Sequence, residues 1–227
     1  MNRSKLWLAL STVASVGAGF VGGMMFTRRA AARGCLVATV GALYEVDMQL
    51  RPSGRAGPVA VRFSSFERYY REEAWTWEFM ALTRIRPVTG DAELAGRVVE
   101  TARQALRTKS ADAKITDDVA DMRRRMARER KPRSAWDVKL AAGGLVDIEF
   151  VIQHAILTSA NEVPGAVIPT SMDAIKALAS AGRLAPGEAA VLADGLTFQL
   201  NLQQAMRIAS GDQFEPEKAS ASTRSEE

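Results

Sequence analysis

The chain has 227 residues, 47% hydrophobic and 25% charged, which is enough to bury a core and excludes a wholly disordered polypeptide. A formal net charge of +4 permits an anionic small-molecule partner but gives no argument for nucleic-acid binding. One cysteine, Cys35, and one histidine, His154, exclude an internal disulfide and a Cys/His zinc cluster, so any metal must be held by oxygen ligands, which points to Mg²⁺ or Mn²⁺ rather than zinc.

Leu6 to Phe26 carries no charged residue, with Arg3 and Lys5 before it and Arg28, Arg29 and Arg33 after it. That length meets the requirement for a membrane-spanning helix, and a short basic start before an apolar run also resembles a secretory signal. Frequent Gly, Ser and Ala weaken the run, so a buried segment foreign to the fold stays open beside the membrane reading. Residues 1–41 are therefore set apart. Residues 42–62 follow as a short β-like stretch, in which Leu43, Val46, Met48 and Leu50 surround Tyr44, Glu45 and Asp47. Pro52, Ser53, Gly54, Gly57 and Pro58 break it.

Residues 63–212 read as about six helices. Ser64 and Glu67 have capping-box spacing, and Phe66, Tyr70, Trp77, Met80 and Ile85 recur at helical intervals up to Pro87. Asp91 is placed to cap a second helix with the stripe Leu94, Val98, Ala102 and Leu106. A third runs from about Asp112 through Ile115, Val119, Met122 and Met126, acidic at its start and arginine-rich at its end, as the helix dipole favours. A fourth begins near Gly144 and carries Ile148, Val151, Ile152, Ala155 and Ile156. Thr170 and Asp173 open a short helix ending at Gly182, and Pro186 starts a last one through Leu192, Leu196, Leu200 and Met206. The tail, residues 213–227, has little to bury and reads as disordered.

Three segments could carry chemistry. On a strand, Glu45, Asp47 and Gln49 share one face. Asp47 before a Gly/Pro loop could bind a divalent ion or accept a proton, and the forked donors of Arg51 could hold phosphate. A half-exposed strand with solvated charges explains the same spacing. In the second segment Gly143 and Gly144 open a helix whose free N–H groups could meet an anion, with Lys139 upstream and Asp147 and Glu149 just inside. An ordinary glycine turn is the alternative, and Asp147 and Glu149 diverge on a helix instead of pairing. The third is the aromatic and charged run Tyr69 to Glu78, which reads as helix core more readily than as a base-stacking platform. The arginines at 123–130 read as a solvated helix end.

In order, LYEVDMQLRPSGRAGP, FERYYREEAWTWEFMALTRIRPVTGD and DVKLAAGGLVDIEFVIQ closely resemble the C-terminal adenylyltransferase half of bacterial glutamine synthetase adenylyltransferases. The likeness runs from about Leu43 to about Phe214. It implies a mainly α fold: a helical bundle of the PII-uridylyltransferase/glutamine synthetase adenylyltransferase type, preceded by a β remnant of a polymerase β-like nucleotidyltransferase domain. It also implies transfer of AMP from ATP, with Mg²⁺, to a tyrosine of glutamine synthetase under a PII-type regulator, in the cytoplasm. By position Asp47 resembles a third metal-binding carboxylate with Arg51 beside it. Lys139, Gly143, Gly144, Asp147 and Glu149 resemble the helical-domain motif packed behind the nucleotide.

The family's Gly-Ser loop with its Asp-x-Asp pair occurs nowhere in these 227 residues. The expectation is therefore a truncated adenylyltransferase, inactive alone. Two alternatives are a non-catalytic module binding glutamine synthetase or the PII regulator, and a remnant tethered to a membrane through residues 6–26.

Overall fold

The computed structural model describes residues 57–210, except 59, 135 and 164. The apolar run 6–26, the β stretch with Asp47 and Arg51, and the tail lie outside the described residues. Among the described residues there is no strand, and the architecture is seven helices around one core.

The first expected helix is two. α1 (Phe63–Glu72) and α2 (Thr76–Leu82) are separated by a break at Glu73–Trp75. The Ser64/Glu67 capping box does not form, and Arg62 starts α1 without a side-chain cap. The cap belongs to α2 instead. Glu78 Oε2 accepts from the Trp75 backbone N–H at 2.9 Å, while its other oxygen accepts from the Tyr69 hydroxyl at 2.6 Å. One carboxylate thus ties the end of α1 to the start of α2. Thr76 adds a longer link, donating to Asp118 Oδ2 on α4 at 2.5 Å. Behind the break, Tyr70 packs edge-on against the buried Phe66 and Phe79, and Trp77 is partly buried against the core, whereas Trp75, expected with them in the core, is exposed.

α3 (Ala92–Lys109) begins as its sequence requires, with Asp91 Oδ1 accepting from Leu94 N–H at 2.8 Å. Val98, Ala102 and Leu106 are buried, as are Ile115, Val119, Met122 and Met126 of α4 (Ile115–Glu129). α5 (Leu145–Thr158) buries Ile148, Ile152 and Ile156 together with Leu145, Val146 and Leu157. Val151, expected on its core stripe, is exposed. α5 packs against α2, α3, α4, α6 and α7, and is the central helix of the bundle.

The connection after α5 is part of the core. Val163, Ala166 and Val167 are buried, and Ile168 N–H donates to the Thr83 carbonyl at 2.7 Å. α6 (Ser171–Ser180) is capped by Thr170, which accepts from Asp173 N–H at 3.2 Å. It ends at Gly182, whose φ of +67° allows the N–H groups of Gly182 and Arg183 to reach the carbonyls of Ala179 and Leu178. α7 (Pro186–Ser210) is the longest helix and lies against α5 and α6.

Burial raises the Glu78 carboxyl above the usual carboxylate range, against the hydrogen bonds from Trp75 and Tyr69 that favour its charged form. A group raised in the folded state contributes stability that is complete below its unfolded value and is lost as pH rises through its folded value. Thermal melts across that window should show the wild-type chain losing stability relative to Glu78→Gln as pH climbs above about 4. A pH-independent difference would contradict it.

Candidate functional site

The glycine-opened start of α5 is the segment in which sequence and geometry converge. Asp137 organises the approach: its carboxylate accepts from the N–H groups of Leu140 at 3.1 Å and Arg133 at 3.2 Å. The loop then folds back so that its carbonyls meet the helix start. Val138 O accepts from Leu145 N–H at 2.9 Å, Lys139 O from Val146 N–H at 3.2 Å, and Ala141 O from Gly144 N–H at 2.9 Å.

The two glycines are required for different reasons. Gly143 has φ +76°, a left-handed conformation that costs a side-chain-bearing residue about 1–2 kcal/mol. Gly144 has an ordinary φ of −75° but no room: an added Cβ would lie 2.5 Å from the Val138 carbonyl oxygen and 2.9 Å from that of Ala141. Its missing side chain lets the loop carbonyls close onto the helix.

That closure changes what the segment offers an anion. The N–H groups expected to be open at the helix start donate to internal partners, and Gly143 N–H donates to Asp147 Oδ2 at 2.8 Å. The other Asp147 oxygen accepts from Arg123 Nε of α4. Two residues on, Glu149 Oε1 pairs with Arg84 Nη1 at 2.6 Å, while Arg84 Nε donates to the Pro169 carbonyl at 3.3 Å. The acidic side chains do diverge, each to its own arginine. Both pairs are about three-quarters buried, where charge-assisted hydrogen bonds are worth about 1.5–3 kcal/mol.

Lys139 brings positive charge to the same place. Burial pushes its ammonium below the usual lysine range, Arg130 adds to the effect, Glu149 and Asp137 oppose it, and Arg207 adds again. Lys139, Gly143, Gly144, Asp147 and Glu149 therefore form one unit at the head of α5. Asp47 and Arg51 lie outside the described residues. Among the described residues no group of three or more His, Cys, Asp or Glu is placed to hold a metal ion. With both acidic residues of the α5 start committed to arginines, this donor set does not fit Mg²⁺.

Sequence reasoning missed Arg84 and Arg123. Arg123 stands in a run of arginines read as a solvated end, and Arg84 is 65 residues from its partner. Neither separation has a local pattern that would reveal it.

Comparison with known proteins matches residues 36–101 to the family model "Glutamate-ammonia ligase adenylyltransferase" and residues 110–215 to "GlnD PII-uridylyltransferase". The chain is 41% identical over 194 residues to the bifunctional glutamine synthetase adenylyltransferase/adenylyl-removing enzyme of Bradyrhizobium diazoefficiens, covering 86% of this chain and 20% of that protein. It is 40% identical to the same enzyme of Rhodopseudomonas palustris strain CGA009 over equal shares. Against that of Rhizobium meliloti it is 42% identical over 183 residues, 80% of this chain and 18% of the relative. The chain spans about a fifth of the length of these relatives. It is related to the glutamine synthetase adenylyltransferases and corresponds to one part of them.

Gly144→Ala should cost about 2–3 kcal/mol through overpacking, lowering Tm by roughly 5–10 °C, because the obstructing atoms are backbone. Gly143→Ala faces open space and should cost only its backbone penalty, about 1–2 kcal/mol. Calorimetry of both variants checks the order, and equal or reversed losses would contradict the closure described.

Proposed function

We propose that this chain carries the helical part of an adenylyltransferase acting on glutamine synthetase, and that it does not transfer AMP by itself. The observation that carries the reading is the closed start of α5, where Gly144, the Arg123–Asp147 pair and the Arg84–Glu149 pair fix one rigid unit beside Lys139. In this reading the unit packs behind the nucleotide, and Lys139 supplies positive charge toward its phosphates. Asp47 and Arg51 belong to the catalytic sheet in front of it. The relatives are adenylyltransferases of glutamine synthetase, which supports glutamine synthetase as the partner, and a PII-type protein as regulator follows from the family resemblance alone.

Adenylyl transfer draws on ATP, with Mg²⁺ to neutralise the triphosphate. Mg²⁺ demands near-octahedral oxygen ligation, which one carboxylate at Asp47 does not provide. The 227 residues contain no two aspartates spaced by a single residue, the pair that this chemistry uses to hold the metal. The chain's own share is therefore to bind and orient.

The test is transfer of radiolabelled AMP to purified glutamine synthetase. No labelling by the chain alone is expected, and robust labelling would overturn the proposal. Pull-downs with glutamine synthetase and with a PII-type protein separate a docking role from its absence: retention of either fits the proposed part, and retention of neither contradicts it.

A further inference from the structure

α4 and α5 lie antiparallel, in a register that two side-chain contacts define. Thr116 Oγ1 and His154 Nε2 are 3.0 Å apart, and Arg123 Nε donates to Asp147. Between these contacts α4 advances seven residues while α5 goes back seven, two turns of each helix. A further seven residues lead along α4 to Arg130, its C-cap, and back through the start of α5 to Leu140, next to Lys139. Arg130 and Lys139 thus meet just beyond the Arg123–Asp147 pair, although they come from different segments.

α7 adds a third cation. Gly195 lies against Ile148 of α5, whose Cδ1 is 3.5 Å from where a Cβ at Gly195 would stand. From there Arg207 is about 18 Å further along α7, at the head of α5, where its charge acts on Lys139. Arg130, Lys139 and Arg207 are all half-buried. Burial first, and then the charge of Arg130, hold the Lys139 ammonium below the usual lysine range.

Gathering three like charges in a partly desolvated place disfavours each of them, and a multivalent anion reverses that cost. The acids nearby are engaged elsewhere: Asp147 with Arg123, Glu149 with Arg84, and Asp137 with the N–H groups of Leu140 and Arg133. Residues 128–139 carry five Lys and Arg against two acids, so the surroundings are positive as well. Three cations on three segments match an anion with negative oxygens strung along a chain better than a single carboxylate.

We propose that Arg130, Lys139 and Arg207 together form a binding site on this chain for the phosphate chain of a nucleoside triphosphate, one that needs no magnesium. This rests on the role proposed above for Lys139 and adds two arginines to it.

Titration calorimetry of the full chain with ATP and with inorganic triphosphate, both in EDTA, tests it. Both should bind saturably, with affinities within about threefold of each other that weaken as salt rises. AMP should bind at least about tenfold more weakly. Arg130→Gln, Lys139→Met and Arg207→Gln should each weaken triphosphate binding about tenfold. Lys131→Gln, exposed in the same loop, and Arg71→Gln on α1 should change it by less than about twofold. On the wild-type chain, ATP should slow modification of Lys139 by an amine-reactive reagent, read by mass spectrometry, which keeps the test independent of how the variants fold. Absence of saturable binding would overturn the proposal. So would equal losses from Lys131→Gln and Lys139→Met, the mark of diffuse attraction, or binding of ATP without binding of triphosphate. Retention of glutamine synthetase in the pull-down without triphosphate binding contradicts this site alone, and the reverse result contradicts the partner alone.

Discussion

The first turn of every α-helix presents backbone N–H groups that the helix cannot satisfy, and in α5 the loop just before it satisfies them. Carbonyls of Val138, Lys139 and Ala141 turn onto Leu145, Val146 and Gly144, a closure possible only where no Cβ stands at position 144. Because α5 touches five of the other six helices, the direction set by this closure is passed to the whole bundle. Arg123 from α4 and Arg84 from the end of α2 then clamp its two acidic residues from opposite sides. Removing either arginine would leave a largely buried carboxylate without its countercharge, a change that costs more than the pair contributes.

The same closure bears on function. A glycine-opened helix invites comparison with phosphate-binding loops, but here the backbone donors are already used. Positive side-chain charge gathers beside them, where Lys139 feels the charges of Arg130 and Arg207. A rigid, internally satisfied helix head with a desolvated cation beside it is consistent with the proposed support of a nucleotide site built mainly by other residues. It is poorly suited to metal chemistry of its own. The relation to the glutamine synthetase adenylyltransferases gives this support a context, since the chain spans a fifth of such proteins.

Much of the bundle was legible from local rules. Asp91 and Thr170 cap where short polar residues precede apolar periodicity, and the stripes of α3 and α4 are buried at the expected residues. The break between α1 and α2 was not legible, because its cause is a carboxylate, Glu78, serving a tyrosine nine residues back as well as its own helix start. Periodicity carries no sign of such a bond. Val151 was misassigned for a related reason: a central helix with many apolar positions has no single stripe, and burial follows the neighbours. In the candidate site, Gly143, Gly144, Asp147 and Glu149 were legible as a motif, while the arginines that fix them come from distant segments. Asp47 and Arg51 rest on sequence alone.

The account depends most on Asp147 being held by Arg123 as a structural unit with the glycine loop. A double-mutant cycle on thermal or urea unfolding with Arg123→Met and Asp147→Asn measures that coupling directly. The account predicts a favourable coupling of about 1–3 kcal/mol, as residues in one hydrogen-bonded ion pair show. Additive effects of the two substitutions, with coupling near zero, would contradict it.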